Sequence, residues 1–444
     1  RESGPEKTPY ILEINARAAG GVCLGLHAGV NLPWLGICEA LGRPLPDLQP
    51  LQEAAVVTRS GWDLATADPG TAQVAPAEVP NTYVLPTGRL VVRSRPSPWP
   101  LTSVIDVAAR DNPRRGFLFV SRLLGKHLPV TPARMAAAHA ALAQRLPREL
   151  PGPVLFVGLA ETATGLGAGV AEAYAAGGRE DVLFSHTTRH PPVGADNLAF
   201  EEAHSHAQAQ VLCWPEREDV AARFAEARSL VVVDDELSTG RTAIALADAL
   251  APRLPALQRV VTASLVDMRP DDSPGEVVAL VRASFEFEPN PGWSSAARHL
   301  SGLSELGAGQ GLRRAGRLGR LGPWPLPDSL LNAALDRIGG MGSVRVIGTG
   351  ECMHPAFVLG RALEGRGLRV TLQATTRSPI LVGGAIASVI TGADPFDERV
   401  AHFIYNASGA PAPVTLVLAE PGAGPGITVI AEALGASILV VPDA

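Results

Sequence analysis

The chain has 444 residues, of which 46% are hydrophobic and 18% charged, and a formal net charge of −6. That length implies roughly two to four domains, no apolar run approaches the ~20 residues of a membrane helix, and the acidic balance excludes a broad basic field for nucleic acid. Cys23, Cys38, Cys213 and Cys352 are far apart and form no CxxC pair, so they read as buried thiols of a reducing, cytoplasmic compartment. The chain opens on Arg1 rather than Met, which leaves an upstream targeting segment open.

In chain order, Tyr10–Arg17 reads as a strand with Glu13, Asn15 and Arg17 on one face. Gly20-Gly21 follows, then a helix from near Asn31 with Pro33 in its first turn. A carboxylate, a carboxamide and a guanidinium on one face suit Mg2+ and phosphate. This stretch resembles the closing Glu-x-Asn-x-Arg strand of ATP-grasp ligases. Little chain precedes it, so residues 1–50 are expected to be a remnant, inactive alone. An edge strand and helix packed on the next domain is the other reading. Residues 51–80 are rich in Pro and Ala, which predicts a linker with a short strand at 54–58.

Residues 81–288 alternate strands and helices, which predicts a mainly parallel α/β sheet. Asn81–Arg93 reads as a hairpin turning at Pro86-Thr-Gly88. Phe117–Val120 is a strand, followed closely by Gly125-Lys126-His127. Lys7 and Lys126 are the only lysines of the chain. Lys126 after a strand suits a phosphate or a substrate carboxylate, or else a surface loop. Residues 132–146 are Ala-rich and helical.

Val154–Gly158 reads as a buried strand. The loop after it, with Ala160, Glu161, Thr162 and Thr164, is small and hydroxylated and leads into a helix at 168–176. Its glycines allow close backbone approach to a ligand. The next strand, from Asp181, runs into Thr187-Thr-Arg-His190 and a long polar segment with Phe200-Glu-Glu-Ala-His-Ser-His206. Arg189 suits a diphosphate. His204 and His206 could move protons, polarise an acceptor or bind metal, or be surface histidines.

Leu230-Val-Val-Val-Asp-Asp-Glu-Leu-Ser-Thr-Gly-Arg-Thr242 carries the strongest signal. A buried strand ends in Asp234 and Asp235, then a small loop, Ser238, Thr239, Gly240, Arg241 and Thr242, opens a helix. Loop N–H groups and a helix N-terminus suit a phosphate. The carboxylates suit sugar hydroxyls or hydrated Mg2+ beside it. Together they suggest a phosphorylated sugar.

This device resembles the phosphoribosyl-pyrophosphate signature of type I phosphoribosyltransferases. As a whole, residues 81–288 resemble the orotate-phosphoribosyltransferase-like family of tellurite-resistance (Ter) gene clusters. The resemblance rests on Phe117–His127, Gly158–Gly167, Glu201–His206 and Val233–Thr242. It implies that Asp234 and Asp235 meet the ribose and Mg2+, and that residues 238–242 hold the 5′-phosphate. It also implies that residues 160–164 hold pyrophosphate and that a mobile hood closes over the substrate.

Residues 289–328 are rich in Gly, Pro, Ser and Arg and are expected to be a linker. Residues 329–444 predict a second small α/β domain. Its Gly348-x-Gly350 lacks the third fingerprint glycine, which argues against dinucleotide binding. Thr375-Thr-Arg-Ser-Pro379, Gly348–Glu351 and His402–Asn406 resemble the TRSP domain that follows this type of phosphoribosyltransferase. Arg377 at a strand end suits a phosphate or carboxylate.

The expectation is therefore a cytoplasmic, Mg2+-dependent phosphoribosyltransferase. Its partners would be phosphoribosyl pyrophosphate and a base-like acceptor, with no membrane or nucleic acid; a homodimer stays open. A second, separate site is expected around Arg377, on a domain free to move. Base removal in the reverse direction and a non-catalytic sensor are the alternatives.

Overall fold

Leu230–Val233 explains the main sheet. Val231 and Val233 join one buried cluster with Phe156, while Leu230 and Val232 join another with Leu155 and Val157. A strand buried on both faces must be apolar at every position, and this one is. The computed structural model describes residues 55–59, 63–67, 79–112, 115–200, 210–293, 313–408 and 414–443. The chain divides into two units, Arg1–Ala77 and Glu78–Ala444.

In the first unit, Ala55–Arg59 (β1) and Asp63–Ala67 (β2) pair antiparallel. The expected linker therefore contains a hairpin. Glu13, Asn15 and Arg17 lie outside the described residues.

The second unit begins with the hairpin Val79–Leu85 (β3) and Gly88–Ser94 (β4). Short helix Leu101–Val104 (α1) leads to Ile105–Ala109 (β5), which pairs antiparallel with Phe117–Ser121 (β6). Helix Pro132–Arg145 (α2) follows, its N-terminus capped by Thr131. Then come Val154–Gly158 (β7), Thr164–Ala175 (α3), Val182–His186 (β8), Asn197–Phe200 (β9), Gln210–Cys213 (β10) and Glu218–Ala225 (α4). Ser229–Leu237 (β11), Arg241–Leu250 (α5), Arg259–Asp267 (β12) and Glu276–Pro289 (β13) continue the alternation.

The resulting order is β8-β7-β11-β12-β13-β4-β3, with β8 through β13 parallel and the hairpin antiparallel at one edge. Leu142, Leu166 and Val170 from α2 and α3 cover one face, and Val220, Phe224 and Leu246 from α4 and α5 the other.

The second sheet is Arg369–Ala374 (β16), Ser343–Gly348 (β15), Thr415–Ala419 (β19) and Ser437–Val440 (β20), all parallel. Helices Asp328–Ile338 (α6) and Met353–Glu364 (α7) cover one face, and Gly426–Leu434 (α8) the other. Val389–Ala393 (β17) and Ala401–Tyr405 (β18) form a hairpin beside it. The fold class is α/β, a mainly parallel sheet with a second small α/β layer.

Two expectations change here. Within the expected linker, Arg320–Leu321 (β14) extends the first sheet by pairing with β8, and Arg317 and Trp324 are buried. Nor do the two sheets sit on independently moving bodies. Val130 and Met135 of the first segment share a core with Leu372 and Phe357 of the second. Leu372 N donates to Val130 O at 2.7 Å and Ala374 N to Gly125 O at 2.8 Å. At Gly165 of α3 an added Cβ would lie 3.1 Å from Met353 Cγ, so a glycine is what lets α7 approach. The composition of a Gly/Pro/Arg-rich segment does not reveal that its few large residues are anchors.

Candidate active site

Both informative loops leave one edge of the first sheet. Val233 is in register with Gly158, and Leu159 N donates to Val233 O at 2.9 Å. The chain beyond β7 therefore lies beside the carboxylates of β11, outside the carboxyl ends of parallel strands.

Asp234 and Asp235 are half-buried. Asp235 N donates to Asp234 Oδ1 at 2.9 Å. Desolvation, then the Asp235 carboxylate, push the Asp234 carboxyl well above its usual range. Desolvation raises Asp235 as well. Glu236, next in line, is bound by Arg115 Nη2 at 2.5 Å. Ionisation of the pair is thus opposed by burial and, at Asp234, by its neighbour's charge, while Lys126 acts against this at Asp235.

Gly240 turns the chain at φ 73°, and no side chain caps the N-terminus of α5. Glycine is favoured there both for its left-handed φ and because an added Cβ would lie 3.0 Å from Arg269 Cδ. Thr239 Oγ1 accepts from Arg241 N at 3.4 Å. Ser238, Thr239 and Thr242 are half-buried, whereas Arg241 is exposed. This is a small, hydroxylated loop on an uncapped helix end, suited to a phosphate.

The loop after β7 is fixed by its neighbours. Ala160 N donates to Thr187 Oγ1 at 2.7 Å, Thr187 Oγ1 to Gln210 Oε1 at 2.8 Å, and Gln210 Nε2 to Ala160 O at 2.8 Å. The Ala160–Glu161 peptide is cis. Thr162 is half-buried, but Thr164 is only 1% exposed and its hydroxyl contacts Glu161 O at 3.3 Å. Thr164 therefore serves the start of α3 rather than lining an open loop.

Glu161 is not a lone carboxylate. Lys126 Nζ lies 2.5 Å from its Oε1 and also donates to Gly350 O at 2.8 Å. Burial alone would raise the Glu161 carboxyl, but Lys126, His402 and Arg377 outweigh it and hold the group below its usual range. Lys126 itself is buried. The loop reading of Lys126 is replaced by a buried tie between Glu161 and the second sheet.

Glu351, in the loop after β15, explains that tie's surroundings. It accepts from Thr188 Oγ1 at 2.7 Å, Arg189 N at 3.0 Å and Arg317 Nη2 at 2.6 Å. Arg317 also reaches Glu420 at 2.7 Å and is 1% exposed. Burial opposes the charge on Glu351, yet Arg317 and the nearby histidines hold it far below the carboxylate range.

Arg377 lies on the same seam. Its Nε donates to Asp394 Oδ2 at 2.7 Å, and its Nη2 is 3.0 Å from His190 Nε2. Asp394 also has His402 Nδ1 at 3.2 Å, and it accepts from Phe396 N at 2.9 Å. The Arg377 site is thus not separate: it adjoins the Thr187–His190 loop of the first sheet, and Arg189 is half-buried within that loop. His204 and His206 lie outside the described residues. Sequence reasoning missed Arg317, Asp394 and Glu420, whose partners are far away along the chain. Glu351, an acid in a strand-end glycine loop, was the one visible signal.

Among solved structures the chain is similar to adenine phosphoribosyltransferase from Rhodothermus marinus. Identity is 17%, covering 40% of this chain and 95% of that one, with a TM-score of 0.27. The Saccharomyces cerevisiae adenine phosphoribosyltransferase gives 12%, 40%, 96% and 0.27 for the same measures. Hypoxanthine phosphoribosyltransferase from Trypanosoma cruzi gives 17%, 36%, 79% and 0.23. No curated protein matches. Residues 104–285 match the family model described as phosphoribosyl transferase, and residues 329–433 the TRSP domain C-terminal to it. Residues 3–61 match the ATP-grasp of the biosynthetic pathway with the Ter operon. The phosphoribosyl transferase match thus spans residues 104–285, with the TRSP match behind that segment and the Ter-type ATP-grasp match ahead of it.

Proposed function

We propose that the protein moves the 5-phosphoribosyl unit from phosphoribosyl pyrophosphate to a base-like acceptor, in making a nucleoside-like metabolite. One observation carries this reading: an acidic pair whose ionisation burial opposes and an uncapped helix N-terminus leave the same strand end, beside the loop after β7. Residues 238–242 would hold the 5′-phosphate, and Asp234 and Asp235 the ribose hydroxyls. Residues 160–162 and Arg189 would face the pyrophosphate. The acceptor's lone pair forms the new bond to C1, the C1–O bond breaks with its electrons on pyrophosphate, and the displaced proton leaves to solvent. Positioning and stabilisation of the leaving charge supply the catalysis.

Mg2+ fits this donor set. Two carboxylates pushed up by burial, Asp234 also by the charge of Asp235, are relieved by a divalent cation. Among the described residues no cluster of three or more His, Cys, Asp or Glu is arranged for a metal. Asp234 and Asp235 would therefore share the ion with substrate oxygens. When bound, Mg2+ would add positive charge at the pyrophosphate. A cytoplasmic location is part of the proposal, in keeping with the buried free thiols of Cys213 and Cys352. Among the described residues no helix is long and apolar enough to cross a membrane.

The test is calorimetric titration with Mg2+·phosphoribosyl pyrophosphate, followed by pyrophosphate release across a nucleobase panel. Binding with release on one acceptor supports the transferase, and binding without release on any supports a sensor. The double variant Asp234→Asn, Asp235→Asn should lose affinity at least about tenfold. Unchanged affinity would remove the acidic pair from the site.

A further inference from the structure

The second sheet does more than cover the first. β7, β8 and β11 turn their carboxyl ends toward a seam, and so do β15, β16 and β19. The loop after β15 gives Gly350 O to Lys126 and Glu351 to Thr188 and Arg189 N. The loop after β16 gives Arg377 to His190. The residue after β19, Glu420, holds Arg317. Every contact of the C-terminal segment named here falls on a strand-end residue of the transferase sheet or on its partner.

We infer that the C-terminal domain is the second wall of the transferase centre, and that Arg377 joins Arg189 in binding the departing diphosphate. This rests on the function proposed above, which assigns the diphosphate to the loops after β7 and β8.

The geometry supports this in three ways. Arg377 Nη2 lies 3.0 Å from His190 Nε2, and His190 directly follows Arg189 in the chain. Its side chain is 14% exposed, unlike Arg317 at 1%, so it reaches the boundary of the seam instead of being sealed within it. And its orientation is fixed by a buried carboxylate: Asp394 is 0% exposed and bonds Arg377 Nε. An arginine whose fork is set by a buried acid loses little side-chain entropy when it meets a ligand.

The charges facing Arg377 are Asp394 on its own domain, with His190, His402, Glu161 and Glu351 around it. Glu161 would repel a diphosphate, but its pairing with Lys126 masks that charge. Lys126 thereby has a reason to be buried. It neutralises the one carboxylate of the loop after β7 and anchors the second sheet through Gly350 in the same stroke. A diphosphate between Arg189 and Arg377 would be gripped from two domains, which explains a fused C-terminal segment without a reaction of its own.

The experiment uses the full chain and two defined probes, Mg2+·pyrophosphate and Mg2+·phosphoribosyl pyrophosphate. Arg377→Ala should weaken Mg2+·pyrophosphate binding about ten- to a hundredfold, the worth of one charged hydrogen-bonding group. Arg377→Lys keeps a cation beside Asp394 but cannot span both Asp394 and His190. It should melt like the wild type and still bind several-fold more weakly, so it carries the test if Arg377→Ala fails to fold. Arg361→Ala, an exposed arginine on the same domain, should bind as the wild type does. Wild-type affinity for both probes in Arg377→Lys and in folded Arg377→Ala overturns this inference and leaves the transferase reading standing. A wild-type protein that binds neither probe overturns both.

Discussion

The Arg317 network and the Asp234–Asp235 pair are both groups of partly or fully buried charges at strand ends, and they differ in one respect. Arg317 has Glu351, Glu420 and Thr188 around it, and both carboxylates there bond its guanidinium. The two aspartates face each other, with Arg115 engaged by Glu236 instead. A matched buried group holds structure together. An unmatched one costs stability and is retained where a ligand supplies the missing charge. The difference separates the seam's scaffold from its proposed site.

The sharpest way to break the comparison is at the matched side. Arg317→Ala strands two buried carboxylates and should lower the unfolding free energy by about 3–5 kcal/mol, measured by urea denaturation. A loss under about 1 kcal/mol would mean the network is solvated, and the contrast with the acidic pair would disappear.

Next is acid. His139 is buried, lies against Phe357, and desolvation pushes it down from 6.5 to about 3. His127 is likewise held down to about 3. The unfolded chain takes up these protons first. Stability is therefore full above pH 6.5 and declines as pH falls toward 3, by up to about 1.4 kcal/mol per pH unit for each histidine. His139→Met should remove one proton's worth of that slope between pH 6.5 and 5. An unchanged slope would show that His139 meets water in the folded state.

On the unmatched side the sign reverses. Asp234 and Asp235 have raised folded values, so their contribution is complete at low pH and declines as pH rises through the carboxylate range and above it. The double Asn variant should therefore melt no lower than the wild type at neutral pH, and by as much as about 1 kcal/mol more stably. A marked loss of melting temperature would make the pair structural.

The smallest effect belongs to the surface. Arg361 pairs with Glu364 at 2.7 Å with its side chain 48% exposed. Arg361→Ala should change stability by less than about 0.5 kcal/mol. A larger loss would mean that exposed pairs on this domain matter as much as the seam.

The signature stretch was legible because its parts are contiguous. Val231–Val233 are apolar at every position, Asp234 and Asp235 follow, and Gly240 marks the turn into a helix. Strand, acids, loop and helix are all local properties of composition and order. Lys126 was noticed for its rarity, but the reading as a loop cation could not foresee Glu161 and Gly350. Arg377 was placed at a strand end, yet on the wrong side of an assumed gap.

By itself the sequence determined the alternation of strands and helices, the strand-end position of both proposed ligand loops, and the family that these motifs resemble. Tertiary structure alone decided that residues 313–328 are an anchor and not a free linker, and that the two sheets turn their loops toward one seam. It also decided which charges are matched. The physical reason is distance along the chain. Periodicity and turn chemistry act over a few residues, whereas Arg317 meets Glu420 across 103 residues and Lys126 meets Gly350 across 224. Whether a buried charge is scaffold or site depends on such partners, and no local pattern encodes them.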